Sequence, residues 1–102
     1  MDTATLMQLL IKEITPYEND ILNGHSYLTK SADNRVFAVI SVDNKHNEYS
    51  GDAGLIARID DDKIIIEHDM YNKPLVDALV QAGVPREQIV LTYSGEALSE
   101  TA

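Results

Sequence analysis

A chain of 102 residues with 44% hydrophobic and 25% charged content has the make-up of one folded domain, residues 1–102, and not of a disordered segment. Its net charge of −9 is spread evenly, −3 in each of residues 1–34, 35–73 and 74–102, so no basic face exists to meet a phosphate backbone, and direct nucleic-acid binding is not expected. Cysteine is absent, which excludes disulfides, thiolate metal sites and a cysteine nucleophile. No apolar run approaches the ~20 residues of a membrane span, and no basic region precedes the N-terminal apolar stretch; the expectation is a cytoplasmic protein without membrane contact.

The first element is a helix capped by Asp2 or Thr3, with Leu6, Leu10 and Ile14 recurring every fourth residue and Met7, Leu9 and Ile11 beside them. Thr15-Pro16 ends or kinks it, because a residue before proline avoids the helical region. Residues 17–22 read as a second helical turn, and Asn23-Gly24 as a turn or helix C-cap. From His25 the period changes to two. Residues 26–31 read as a short strand, 32–34 as a turn, and the nearly continuous apolar run 35–42 as a central strand. The polar stretch 43–50, closed by Gly51, reads as a hairpin loop.

Residues 53–60 form the next strand, with Leu55, Ala57 and Ile59 on one face and Arg58 and Asp60 on the other. Asp60-Asp61-Asp62 makes a turn, and residues 63–68 return with Ile64 and Ile66 inward against Ile65 and Glu67 outward. Asn72-Lys73-Pro74 opens a second helix, about 74–82, whose apolar stripe is Leu75, Val76, Leu79 and Val80 and which Gly83 stops. A short turn over 86–88 leads into a last strand, 89–93; the strand–helix–strand unit is long enough for a right-handed crossover into a parallel pair. Residues 94–102 lack periodicity and read as a loose tail. The fold class expected is α+β: a largely antiparallel sheet of four to six strands with both helices on one face. Such a sheet leaves its other face or an edge strand available, so a homo-oligomer is expected.

Candidate chemistry is sparse. Asp60, Asp61 and Asp62 lack the alternate spacing, glycine and distal glutamate of a calcium loop, and aspartate is a good turn residue. His25, His46 and His68 show no paired spacing, and a metal site would need all three to converge with a carboxylate such as Asp69. Glu67-His68-Asp69 after a strand invites comparison with a nuclease site, but Asp69 stands where that site needs lysine. Ser50-Gly51-Asp52 and Ser94-Gly95-Glu96 lack the setting of a nucleophile elbow, and no phosphate loop occurs. The five tyrosines, 17, 27, 49, 71 and 93, lie scattered without interleaved bases and make no base-stacking platform. No catalytic residue, metal ligand or cofactor site is assigned. The alternative is a small-ligand or metal-dependent enzyme using Asp60, Asp62, Glu67 and His68.

The phrase Leu79-Val80-Gln81-Ala82-Gly83-Val84-Pro85-Arg86-Glu87-Gln88-Ile89-Val90-Leu91, preceded by an acid-rich turn and Lys63-Ile64-Ile65-Ile66-Glu67, resembles the XisI family, the fdxN element excision controlling factors. The N-terminal half matches in pattern. Many members have glycine and tryptophan where this chain has Asp62 and Ile65, and a proline-containing tail where it has Thr92-Tyr93-Ser94-Gly95-Glu96. The resemblance implies a non-enzymatic control protein for excision of a DNA element during cell differentiation in cyanobacteria. The site-specific recombinase is then a separate protein, and the partner is XisH, which resembles a nuclease-fold protein. A charge of −9 suits a factor that acts through proteins and not by gripping DNA.

Overall fold

The computed structural model describes residues 1–45 and 48–97, the side chains of 45 and 48–50 apart. Helix α1 spans Thr3–Ile14. The Asp2 carboxylate accepts from the Thr5 N–H at 2.8 Å, which satisfies one of the donors a helix start leaves open. Leu6, Leu10 and Ile14 are fully buried. Ahead of Pro16 the helix stops, tightening into a 3-10 turn over Thr15–Tyr17.

Six strands follow, and they lie in the sheet in the order they occur in the chain. Residues 17–22 are not a second helical turn. They contain strand β1, Asn19–Ile21, paired antiparallel with β2, Gly24–Lys30, through a two-residue connection in which Asn23 has φ 65°. The segment offers a helix only the pair Tyr17 and Ile21, whereas Asn23 supplies the left-handed turn residue ahead of Gly24 and β2 supplies backbone partners.

Strand β3, Val36–Lys45, and strand β4, Glu48–Asp60, are longer than their apolar runs. The expected loop at 43–50 is strand up to the Lys45↔Glu48 pair, and residues 46–47 lie outside the described residues. Ladder hydrogen bonds hold polar residues as well as apolar ones, and a hairpin arm needs no buried face to continue. Asp61 and Asp62 make the tight turn expected of them, Asp61 with φ 56°, between the paired Asp60 and Lys63. Strand β5, Lys63–Asp69, then leads to helix α2, Leu75–Gln81, and strand β6, Ile89–Leu91, lies parallel to β5 with Ile64 opposite Ile89. This is the crossover read from the sequence.

β6 ends two residues early. Thr92–Ser94 turn as a 3-10 helix, and Glu96 folds back on Leu91, so the start of the expected tail is ordered against the sheet. Residues 98–102, the rest of that tail, lie outside the described residues.

Both helices cover one sheet face. Leu6, Leu10, Ile14, Leu75 and Leu79 pack on Phe37, Val39, Leu55, Ala57, Ile59, Ile64, Ile66, Ile89 and Leu91. Truncating one such leucine to alanine costs about 2–5 kcal/mol in comparable cores. Val80, expected in the α2 stripe, is 43% exposed, because the short helix touches the sheet only through Leu75 and Leu79 with Val76 at the margin. Among the described residues no helix is long and apolar enough to cross a membrane.

Candidate functional site

The acids weighed as an enzyme site are spread along the β4–β5 hairpin, Asp60 and Asp62 at its turn and Glu67 beside His68 towards the end of β5. Arg58 bonds Glu67 at 2.8 Å and lies 3.6 Å from Asp60, while Lys63 lies 3.7 Å from Asp62. The main-chain carbonyls of Asp61 and Asp62 accept from Thr3 and from Gln88. His68 follows Glu67 in the chain and sits six residues from Asp62, about 20 Å at the rise of a strand. Asp69 beside it takes the N–H groups of Tyr71 and Leu75 on its two carboxylate oxygens, at 2.9 and 2.8 Å. It therefore shapes the loop into α2. His25 bonds Asp20 on the β1–β2 hairpin, three strands from β5. His46 lies outside the described residues. Among the described residues no three of these side chains come together to hold a metal.

What the sequence did not show is a cleft at the far end of the helical layer. The loop that Asp69 shapes carries Tyr71, whose ring lies over Gly54 of β4, where a Cβ would meet it at 3.2 Å. Tyr17, from the turn after α1, meets Tyr71 edge to face, ring centroids 4.7 Å apart and planes at 72°. The Tyr17 hydroxyl donates to the Lys73 carbonyl, which ties the turn after α1 to the start of α2. These rings, with Glu13, Asn19, Lys73 and Ala78, line an open cleft of about 460 Å³. Burial, and after it the charges of Asp69, Tyr71, Asp77 and Glu13, push the Tyr17 hydroxyl up to about 12. The Tyr71 hydroxyl is buried and has no hydrogen-bond partner among the described residues. Nothing in the spacing of the two tyrosines announces their meeting; only the sheet brings them together.

Over β2–β4 the sheet face away from the helices is a second open surface, whereas over β5 and β6 Ile65 and Val90 on that face are buried. Tyr27, Val36, Ala38, Ile40, Val42 and Ile56 alternate with core residues and point away from them, Tyr27 51% and Val36 38% exposed and the others half-buried.

The family model described as XisI protein matches residues 1–101. The chain belongs to the XisI family. Two solved structures share the fold. One, a XisI-like protein from Anabaena variabilis, aligns with a TM-score of 0.75 at 22% identity, over 86% of this chain and 84% of its own. The other, the fdxN element excision controlling factor XisI from Anabaena variabilis, aligns with a TM-score of 0.67 at 21% identity, over 99% of this chain and 100% of its own. No protein of curated function matches the chain.

The phrase that carries the XisI resemblance is structural. Leu79 is core, and Gly83, with φ 108°, takes the left-handed position that ends α2. Arg86 donates to the Ile89 carbonyl, and Gln88 donates from its amide to the carbonyls of Met1 and Asp62. Ile89 and Leu91 fill the core. The motif therefore encodes the crossover into β6 and its closure against the rest of the XisI fold.

Proposed function

We propose that this XisI family chain is a control protein of DNA-element excision that works through protein partners and performs no catalysis itself. The partners are a XisH-like nuclease-fold protein and, through it, the site-specific recombinase. The observation that carries this reading is the family match along residues 1–101. The shared fold with a protein named as an excision controlling factor supports it. A net charge of −9 supports action through proteins, because such a chain is repelled by DNA. Co-expression with the XisH-like protein nearest in the genome, followed by mass determination of the eluted species, is the test. A defined complex is expected; a chain that elutes alone at micromolar concentration overturns the reading.

The same chain is proposed to self-associate through its uncovered sheet face. Two chains of charge −9 repel, and the patch formed by Tyr27, Val36, Ala38, Ile40, Val42 and Ile56 is apolar, with Arg58 and Glu67 paired to each other at its margin. Sedimentation should show a dimer that Ile40→Glu dissociates, and a monomeric parent chain would remove this surface from the proposal.

A further inference from the structure

We infer that the cleft between the end of α1 and the start of α2 receives an arginine side chain of a partner protein. This rests on the reading of the chain as a partner-binding subunit and gives the chemistry of one contact. The walls are aromatic and apolar: the crossed rings of Tyr17 and Tyr71, with Ala78 of α2 closing one side. Glu13, half-buried near the end of α1, lines the same space and enters no ion pair among the described residues. Among the lining residues Glu13 is the acid and Lys73, on the rim, the base, while Asp69 and Asp77 add negative charge felt at Tyr17 from beyond the lining. The balance is negative.

That combination selects its ligand. A phosphate or carboxylate is repelled by the same charges. A divalent cation finds no three convergent oxygen ligands of the acidic kind among the described residues. A guanidinium fits, because it is flat, stacks on a tyrosine face and presents paired N–H groups in its own plane to a carboxylate at the edge. An ammonium is compact, strongly hydrated and less suited to a stacked site. A cleft of about 460 Å³ has room for the whole side chain and part of its backbone. The Tyr17 hydroxyl is held by the Lys73 carbonyl, so the ring that the ligand would meet is already fixed in place.

The test uses the full chain, isotope-labelled, titrated with capped Gly-Arg-Gly, with capped Gly-Lys-Gly and Gly-Glu-Gly as comparisons. Expected are shifts confined to Glu13, Tyr17, Tyr71 and their neighbours, a Kd on the order of millimolar, and arginine bound more tightly than lysine. Glu13→Gln should weaken binding about threefold to tenfold, as loss of one partly shielded charged hydrogen bond does. Tyr71→Phe, which keeps the ring, should bind like the parent chain. Absence of shifts, equal response to the glutamate peptide, or full binding by Glu13→Gln each overturns the inference. Because the probe is a peptide alone, its failure leaves the complex with a XisH-like protein untouched. Binding by a chain that forms no such complex supports the cleft and counts against the partner reading.

Discussion

Arg86 and Glu96 meet at 2.6 Å beside the outer edge of β6, and between them they occupy its backbone. Arg86 donates to the Ile89 carbonyl at 2.7 Å, and Glu96 accepts from the Leu91 N–H at 2.9 Å. An edge strand with free N–H and C=O groups is a template for another chain, and this pair closes it. At the opposite edge β1 is only three residues long and exposes Asp20. The proposed association between chains would thereby fall to the sheet face. The Arg86 guanidinium, and after it the Leu91 N–H, hold the Glu96 carboxyl below the usual glutamate range. A depressed folded-state value means that the contribution is complete at neutral pH and is lost as pH falls through that value. Glu96→Gln should therefore lower stability at neutral pH, and the gap to the parent chain should close in acid. Urea unfolding of both chains across that range checks it; a gap independent of pH would show that the carboxylate charge is not what closes the edge.

Gly24→Ala should be among the most damaging single substitutions outside the core. Gly24 opens β2 opposite Asp43, and a Cβ there would lie 1.9 Å from the Val42 carbonyl oxygen and 2.8 Å from the Asp43 Cα. Both are backbone atoms and cannot swing aside as a side chain does. The strands must separate where the β1–β2 hairpin joins β3, at a cost of about 3 kcal/mol by the standard of overpacked sites. Chemical denaturation measures it, and a loss under about 1 kcal/mol would contradict the close approach.

Gln88 is 8% exposed, and its amide links three stretches of chain, the start of α1, the β4–β5 turn and the entry to β6. Gln88→Leu keeps most of the volume and removes the donors. It should cost about 1–2 kcal/mol, since the carbonyls of Met1 and Asp62 lose a buried partner. Faster amide exchange in the 60–63 turn should accompany the loss. Unchanged exchange there would mean that the turn holds without the amide.

The two cleft tyrosines should respond in opposite ways to loss of their hydroxyls. Tyr71→Phe removes a buried hydroxyl that has no partner among the described residues, so stability should hold or rise by up to about 1 kcal/mol. Tyr17→Phe removes the bond to the Lys73 carbonyl and should cost about 1 kcal/mol. Tyr17 ionises near 12, above its ordinary value, so the folded chain holds that proton more tightly than the unfolded one. Stability is intact below the ordinary tyrosine range and falls as pH climbs towards about 12. Phenolate absorbance during alkaline titration of Tyr17→Phe should lose its latest step; persistence of that step would assign it to another ring.

The parts of the fold legible in the sequence are those whose signal is local. Leu6, Leu10 and Ile14 mark one helix face, and Gly83-Val84-Pro85 stops another helix and starts a strand. Asp61-Asp62 turns a hairpin, and the alternation of Ile64 and Ile66 with their neighbours sets one strand against the core. Strand β1 and the polar arm of the β3–β4 hairpin were not legible, because they are held by ladder hydrogen bonds and not by an apolar pattern. The candidate enzyme residues were legible as types but not as a site, since Arg58 and Lys63 answer Asp60, Asp62 and Glu67, and His68 lies at the far end of β5 from Asp60 and Asp62.

By itself the sequence determined the α+β class, the parallel crossover from β5 to β6 and the XisI resemblance, all of which depend on periodicity and turn chemistry within about thirty residues. The tertiary structure alone decided that Tyr17 meets Tyr71, that Arg86 and Glu96 close one sheet edge, and that the β2–β4 part of one sheet face stays uncovered. Those relationships join residues through strand order and register, and backbone pairing sets both without leaving a mark on side-chain composition.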